Sequence, residues 1–262
     1  MSPTPAASSH QQRVREQFTR QAVPFSRAPA MRDEGAIALL TDAARIRSTD
    51  RSLDVACGPG LVALAFARHV EHATGIAATP AMIARARALQ VRTGAGNLQW
   101  DLGDACALPY PDGQFDIVTS RFAWHHLEHP GAAMREMLRV CRRGGRVLVC
   151  DGVASAQADK AAAFNRMERM RDPSTVSFLT EAQLLGIVGD AGLEIGSVHR
   201  YRVPVELEGL LRVSFPAEAD VGPLRQMIIG SVRDDSLGMG TAIVDGEVRL
   251  HYPAVIVAGQ KA

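Results

Sequence analysis

Residues 53–60, LDVACGPG, constrain this chain more than any other stretch. A short apolar run holding Asp54 meets a turn with the spacing Asp54-x-Ala56-x-Gly58-x-Gly60, and the apolar, helix-like LVALAFARHV follows at once. Strand, tight glycine turn and helix start in that order let backbone lie against a nucleotide-like ligand. Glycine suits the turn because a Cβ would block the ligand's approach and because the turn calls for positive φ. A Gly-x-Gly turn alone is a weak signal, and its weight here comes from two later stretches. They are GDACALPYPDGQFDIVTSRFAWHHL at 103–127 and LRVCRRGGRVLVCDG at 138–152.

Strand-like and helix-like segments alternate, which predicts a parallel sheet with helices on both faces. The apolar patterns place strands near 51–56, 73–77, 97–101, 115–121 and 144–151, with helices near 60–70, 80–91 and 131–142. Thr79-Pro80 offers a capping residue before a proline at the first helical position. Gly144-Gly145 is read as the stop of a helix before the next strand. Beyond residue 152 the pattern predicts helices near 157–171 and 180–191, a strand in LEIGSVHRYRVPVE, and a helix in EADVGPLRQMIIGSVRDD disturbed by Pro223. Asp245-Gly246 between apolar runs marks a terminal hairpin.

Composition narrows the functional classes. At 262 residues the chain suffices for one large α/β domain with a modest cap. A formal net charge of +1 gives no electrostatic footprint for nucleic acid or an anionic membrane. No apolar run reaches the ~18 residues needed to span a bilayer. MSPTPAASSHQQR lacks an apolar signal core, so 1–12 is read as a disordered leader and a cytoplasmic protein is expected. Cys57, Cys106, Cys141 and Cys150 show no C-x-x-C spacing and are expected to be reduced, half-buried thiols.

Together with the glycine turn, the stretches at 103–127 and 138–152 resemble the class I S-adenosylmethionine-dependent methyltransferases, of the type found in ubiquinone and menaquinone biosynthesis and related small-molecule methylation. The resemblance is specific for fold and cofactor class and much less so for the methyl acceptor. It implies an α/β fold, a doubly wound, Rossmann-like sheet of seven mostly parallel strands with an antiparallel last strand and a small helical cap. A single domain over 13–262 would comprise a lid helix (13–35), a cofactor-binding core (36–152), a cap with substrate-side elements (153–240) and the terminal hairpin (241–262). S-adenosylmethionine is the implied cofactor, and a small, cyclic or aromatic metabolite the implied acceptor. Monomer and homodimer both stay open.

By the same resemblance Asp54 helps hold the cofactor's amino group, the alternative being an acceptor for N–H groups of its own loop. Gly58 and Gly60 match small positions of the family motif, and Ala56 replaces its first glycine. Asp104 would accept from the adenine amino group while the N–H of Ala105 donates to the ring; the alternative is a turn aspartate. Arg121 closes the fourth strand, where an open parallel sheet presents its crevice, and either touches the methionine carboxylate or caps the loop. One residue departs from the pattern. The family's second strand ends in an acid that grips both ribose hydroxyls, and here Thr74-Gly75-Ile76-Ala77 puts alanine in its place, with no Asp or Glu between Glu71 and Asp101. Losing charge-assisted hydrogen bonds of ~1.5–3 kcal/mol each weakens cofactor binding, with Thr79 a partial replacement. A second functional reading follows: a methyltransferase-like protein that binds cofactor or ligand without methylating.

Methyl transfer is an in-line displacement in which alignment supplies much of the acceleration, and an acidic acceptor also needs a base. His125 and His126, just past the fourth strand, are the candidates, because imidazole with its ordinary pKa of ~6.5 suits proton removal. Packing or hydrogen bonding of the loop is their alternative. His125-x-x-Glu128-His129 matches a zinc-protease spacing, but Pro130 and the preceding strand deny it the helix it needs, so no metal is expected. Phe18 and Phe25 in QFTRQAVPFSR resemble lid residues over cofactor or acceptor, with Val14, Phe18 and Ala22 on one helical face. Arg171 and Asp172 in RMERMRDPS look substrate-side by resemblance. Met167 and Met170 are read as core or as the lining of an adaptable pocket.

Overall fold

Five consecutive strands build the part of the sheet that the glycine turn serves. In the computed structural model, which describes residues 9–262, they are β1 (Arg51–Val55), β2 (His72–Ala77), β3 (Leu98–Leu102), β4 (Phe115–Arg121) and β5 (Cys141–Gly152). All pair in parallel, in the order β3-β2-β1-β4-β5. The near-continuous burial of β1, β2 and β4 is what a parallel sheet covered on both faces requires. Helices α3 (Leu61–Phe66), α4 (Pro80–Thr93) and α5 (Pro130–Val140) supply that cover. On α5, Ala133, Met134, Met137 and Leu138 are buried one turn apart, the stripe by which the helix packs against the sheet.

β6 (Leu193–Glu206) and β8 (Glu247–Lys261) extend the sheet beyond β5, with β8 antiparallel to both its neighbours. The expected seven-strand path is therefore present, and the short β7 (Ala242–Val244) adds an eighth strand by pairing with β8. Asp245 and Gly246 both take positive φ in the two-residue turn between them, as a tight hairpin demands. Strand order reverses between β1 and β4, so the chain parts in opposite directions at their carboxyl ends. That parting opens a crevice.

Helix α1 (Ser9–Arg27) begins inside the stretch read as a leader, so 9–12 are helical, while 1–8 lie outside the described residues. Three local expectations need correction. Gly144-Gly145 does not end a helix: α5 stops at Val140, and the glycines form an irregularity within β5, where pairing steps from Phe115↔Cys141 to Ile117↔Arg146. A Cβ on Gly145 would stand 2.6 Å from Cys141 Sγ, which explains the glycine by packing. Thr79 occupies the N-cap of α4 before Pro80, but its side chain makes no capping bond. Helix α9 (Glu218–Gly230) runs through Pro223 without a break.

The cap enters the chain at two places. α6 (Ala158–Arg171) follows β5, and α8 (Leu207–Ser214) and α9 lie between β6 and β8. The latter pair thus sits between the last two strands of the main path. Phe164, Met167, Leu210, Leu224 and Ile228 form a core of the cap's own. Met167 belongs to that core. Helices α2 (Glu34–Ala43), capped by Asp33, and α7 (Glu181–Asp190), opened by a Thr180–Gln183 capping box, complete the layers. Among the described residues no helix is long and apolar enough to cross a membrane.

Candidate active site

The turn after β1 carries left-handed backbone at Ala56 (φ 56°), Gly58 (φ 53°) and Gly60 (φ 83°). The two glycines serve different ends. A Cβ on Gly58 would meet nothing within 4 Å, so this position opens onto the crevice. One on Gly60 would stand 2.3 Å from the Trp100 ring, so Gly60 lets the turn close on the core and does not clear a ligand's path. That corrects the expectation that both serve the approach.

The crevice encloses about 870 Å³ and gathers residues from the carboxyl ends of four strands and the turns that follow: Asp54 in β1 and Gly58 after it, Ala77 at the end of β2 and Thr79 after it, Asp104 and Ala105 after β3, and Arg121 at the end of β4. Asp54 is 3% exposed; its Oδ1 lies 3.4 Å from the Thr119 hydroxyl, and its Oδ2 has no hydrogen-bond partner. Burial pushes its pKa up to about 7, against weaker opposing effects led by the backbone N–H of Ala63, with the Thr119 hydroxyl and the Arg121 charge behind it. Arg121 donates from Nη1 to Met31 O at 3.1 Å, while Nε and Nη2 are buried without a partner. Its guanidinium lies 4.4 Å from the Phe122 ring centre. A buried acid and a half-buried cation in one crevice lining fit an amino-acid moiety carrying both charges. The open face of Gly58 gives its chain a place to lie.

Asp104 uses both oxygens within the protein. Oδ1 accepts from the N–H of Cys106 at 2.9 Å, and Oδ2 accepts from Gln11 Nε2 at 2.8 Å. The carboxylate thus shapes its turn and ties down α1 while lining the crevice. Phe18 also lines the crevice, and Phe25 lines both the crevice and a second chamber beside it.

That second chamber, about 480 Å³, lies between the cap and the end of the sheet. Phe25, Phe122, Phe178 and Tyr252 give it an aromatic lining. Arg171 and Asp172 line it too, but their polar atoms are engaged inside the protein. Arg171 pairs with the fully buried Glu168 at 2.7 Å and donates to Ser214 Oγ at 3.1 Å; Tyr252 donates to the other oxygen of Glu168 at 2.5 Å. Asp172 accepts from Ser174 through both N–H (2.9 Å) and Oγ (2.5 Å), and from Gln21 Nε2 at 2.8 Å. Burial works against that carboxylate, yet the Arg171 charge and these hydrogen bonds hold it below the usual range.

The two histidines stand in a short 3-10 turn, Trp124–His126, and they differ. His125 donates from Nδ1 to Asp151 Oδ1 at 2.7 Å, and its backbone N–H donates to Asp151 Oδ2 at 2.9 Å. Its ring stacks on Phe178, 4.1 Å between centres and 11° from parallel. With Nδ1 committed to a carboxylate, Nε2 is the nitrogen left for the chamber the ring lines. His126 donates from Nδ1 to the carbonyl of Ser174 at 3.0 Å and meets the Phe18 ring edge-on at 4.8 Å. Burial, with His125 beside it, pushes its pKa down to about 3, so it is neutral at physiological pH. His126 lines both chambers; His125 lines only the second.

Asp151, Phe178, Gln21 and Glu168 were not among the residues expected from the sequence. Only Asp151 carried a signal: an acid at the carboxyl end of a buried strand, VLVCDG, next in the sheet to the strand that precedes His125.

Comparison with known proteins agrees with this fold. Residues 53–149 match the methyltransferase domain family. The uncharacterised methyltransferase YcgJ of Bacillus subtilis is 31% identical over 196 residues, which span 72% of this chain and 78% of that protein. Its crystal structure superimposes with a TM-score of 0.81 at 24% identity, covering 87% of this chain and 98% of that one. The ubiquinone/menaquinone biosynthesis C-methyltransferase UbiE of Pseudomonas putida is 40% identical over a shorter stretch of 112 residues, 40% of this chain and 43% of that protein. The chain belongs to the class I S-adenosylmethionine-dependent methyltransferases.

Proposed function

We propose that the protein transfers a methyl group from S-adenosylmethionine bound in the crevice to a small, cyclic or aromatic metabolite seated in the aromatic chamber. The observation that carries this reading is a shared wall: Phe25, Met31, Phe122 and His126 line both spaces. Asp54 would hold the ammonium of the methionine moiety and Arg121 its carboxylate, as two opposite charges in one crevice lining. Asp104 and the N–H of Ala105 would face the adenine. Bound there, the cofactor supplies an electrophilic methyl group. The aromatic lining favours a flat, apolar acceptor.

His126, neutral and packed between the chambers, aligns the acceptor without exchanging a proton. His125 takes the acceptor's proton at Nε2, and the Asp151 carboxylate orients the ring and stabilises the imidazolium that forms. Phe18 and Phe25 of α1 keep water off the reacting atoms. Calorimetric titration with S-adenosylmethionine and S-adenosylhomocysteine, then methyl-labelled donor offered with a panel of phenols, hydroxyquinones and indoles, tests the proposal. Binding of both compounds and labelling of a ring-bearing acceptor are expected. Absence of binding by either compound sinks the reading.

A further inference from the structure

The crevice wall at the end of β2 carries no acid. Ala77, Ala78 and Leu102 form it, and Ala77 and Leu102 are partners across β2 and β3. Asp101, one residue earlier on β3, is turned to the opposite face by strand alternation. There it accepts from the Tyr110 hydroxyl at 2.7 Å and from Gln99. The last carbonyl of β2, Ala77 O, already accepts from the N–H of Gly103 at 3.1 Å. Thr79 offers a single neutral hydroxyl. Among the described residues, the acids lining the crevice are Asp54 near the end of β1, Asp104 after β3 and Glu128 beyond β4. The lid contributes Arg15, a cation, to the same lining.

In a strand–glycine turn–helix unit, an acid at the end of the second strand is the group that takes the ribose hydroxyls. Resting on the cofactor reading above, we infer that this crevice recognises an S-adenosyl ligand at its two ends, through Asp54 and Asp104, and leaves the ribose diol unread. Ala77 is then a specificity-determining residue, and the ligand class it admits includes S-adenosyl compounds that lack or substitute a ribose hydroxyl. The energetic reason is that no ionised acceptor loses its partner when a hydroxyl is removed. The steric reason is that alanine leaves the room a carboxylate would fill. With no anion on this wall, a negatively charged substituent also meets less repulsion there than a carboxylate at residue 77 would impose.

The full chain titrated calorimetrically with S-adenosylhomocysteine and with its 2′-deoxy and 3′-O-methyl analogues tests the inference. The three dissociation constants are expected to agree within about fivefold in the wild type, the range of one neutral hydrogen bond. Ala77→Asp is expected to tighten the parent compound by about five- to thirtyfold and to discriminate against both analogues by more than about tenfold. Thr79→Val should change the wild-type pattern by less than about tenfold. A wild-type loss of tenfold or more for either analogue overturns the inference and leaves the cofactor site standing. A folded Ala77→Asp protein with unchanged preferences overturns the role of Ala77. Failure of S-adenosylhomocysteine itself to bind overturns this inference and the cofactor reading together. Should Ala77→Asp not fold, the wild-type comparison decides alone.

Discussion

Asp54 is an acid kept out of water with one oxygen bare, and its pKa of about 7 has consequences that depend on sign. In the folded, ligand-free protein its pKa stands above the ordinary carboxylate value of ~3.9. Its contribution to stability is therefore complete below about pH 4 and lost as pH rises through about 7. A ligand ammonium favours the ionised form, so binding S-adenosylhomocysteine near pH 6 should release close to one proton. Well above pH 7 it should release almost none. Titration calorimetry in buffers of different ionisation heat measures this, and equal proton release at both pH values would remove Asp54 from the ammonium site. The two glycines of the turn should separate experimentally. Gly58→Val should lose ligand affinity with little change in melting temperature, whereas Gly60→Val, forced into Trp100, should lose at least ~1–3 kcal/mol of stability. At the histidines, His125→Ala should lower turnover about 10²–10⁴-fold at nearly constant cofactor affinity. Asp151→Asn should impair turnover in the same direction and shift its pH profile. Full activity in both variants would leave alignment alone as the mechanism.

Helix α1 owes its place over both chambers to amide side chains. Gln11 bonds to Asp104, Gln17 donates to Ser214 O at 2.6 Å, and Gln21 donates to Asp172. His10 adds a contact at 2.8 Å from its Nε2 to the carbonyl of His126. These partners belong to β3's loop, the cap and the histidine turn, so one helix holds three parts of the site together. Removing Gln17 and Gln21 leaves a buried carbonyl and a buried carboxylate short of donors, at ~1–3 kcal/mol each. The double variant Gln17→Ala/Gln21→Ala should keep the sheet folded while amide exchange across α1 accelerates by about tenfold or more. Exchange that stayed at wild-type rates would show that apolar packing alone seats the lid.

Across the whole molecule, two apolar cores meet at the second, aromatic-lined chamber, that of the sheet and that of the cap. Phe178 joins them, packing on Phe164 of the cap at 5.0 Å and on His125 of the sheet side. The buried Glu168–Arg171–Tyr252 cluster fixes α6 against β8 on the same wall. A ligand in the crevice touches α1 and the ends of four strands, so it should stabilise the protein as a unit. At a ligand concentration about a hundredfold above the dissociation constant, the gain is ~2.7 kcal/mol, or roughly 5–10 °C in melting temperature for a domain of this size. S-adenosylhomocysteine that bound by calorimetry without raising the melting point would place its site outside this junction.

What the sequence by itself determined is whatever contiguous residues encode. The turn at 56–60, the Asp245-Gly246 hairpin and the alternation of β1 to β5 with their helices depend on backbone preference and apolar period, which neighbouring residues supply. The absence of an acid at Ala77 was equally plain, because the end of a strand is a local feature. The tertiary structure decided the pairings. His125 meets Asp151 across 26 residues because β4 and β5 are neighbours in the sheet, and Gln21 meets Asp172 across 151 because α1 folds over the cap. Gly60 faces Trp100 for the same reason, β2 bringing β3 beside the turn. The carboxylate partner of His125 and the burial that keeps the adjacent His126 neutral also lay beyond the sequence. A side chain's partner, burial and charge state are set by what lies next to it in space, and strand order and helix placement bring those residues together.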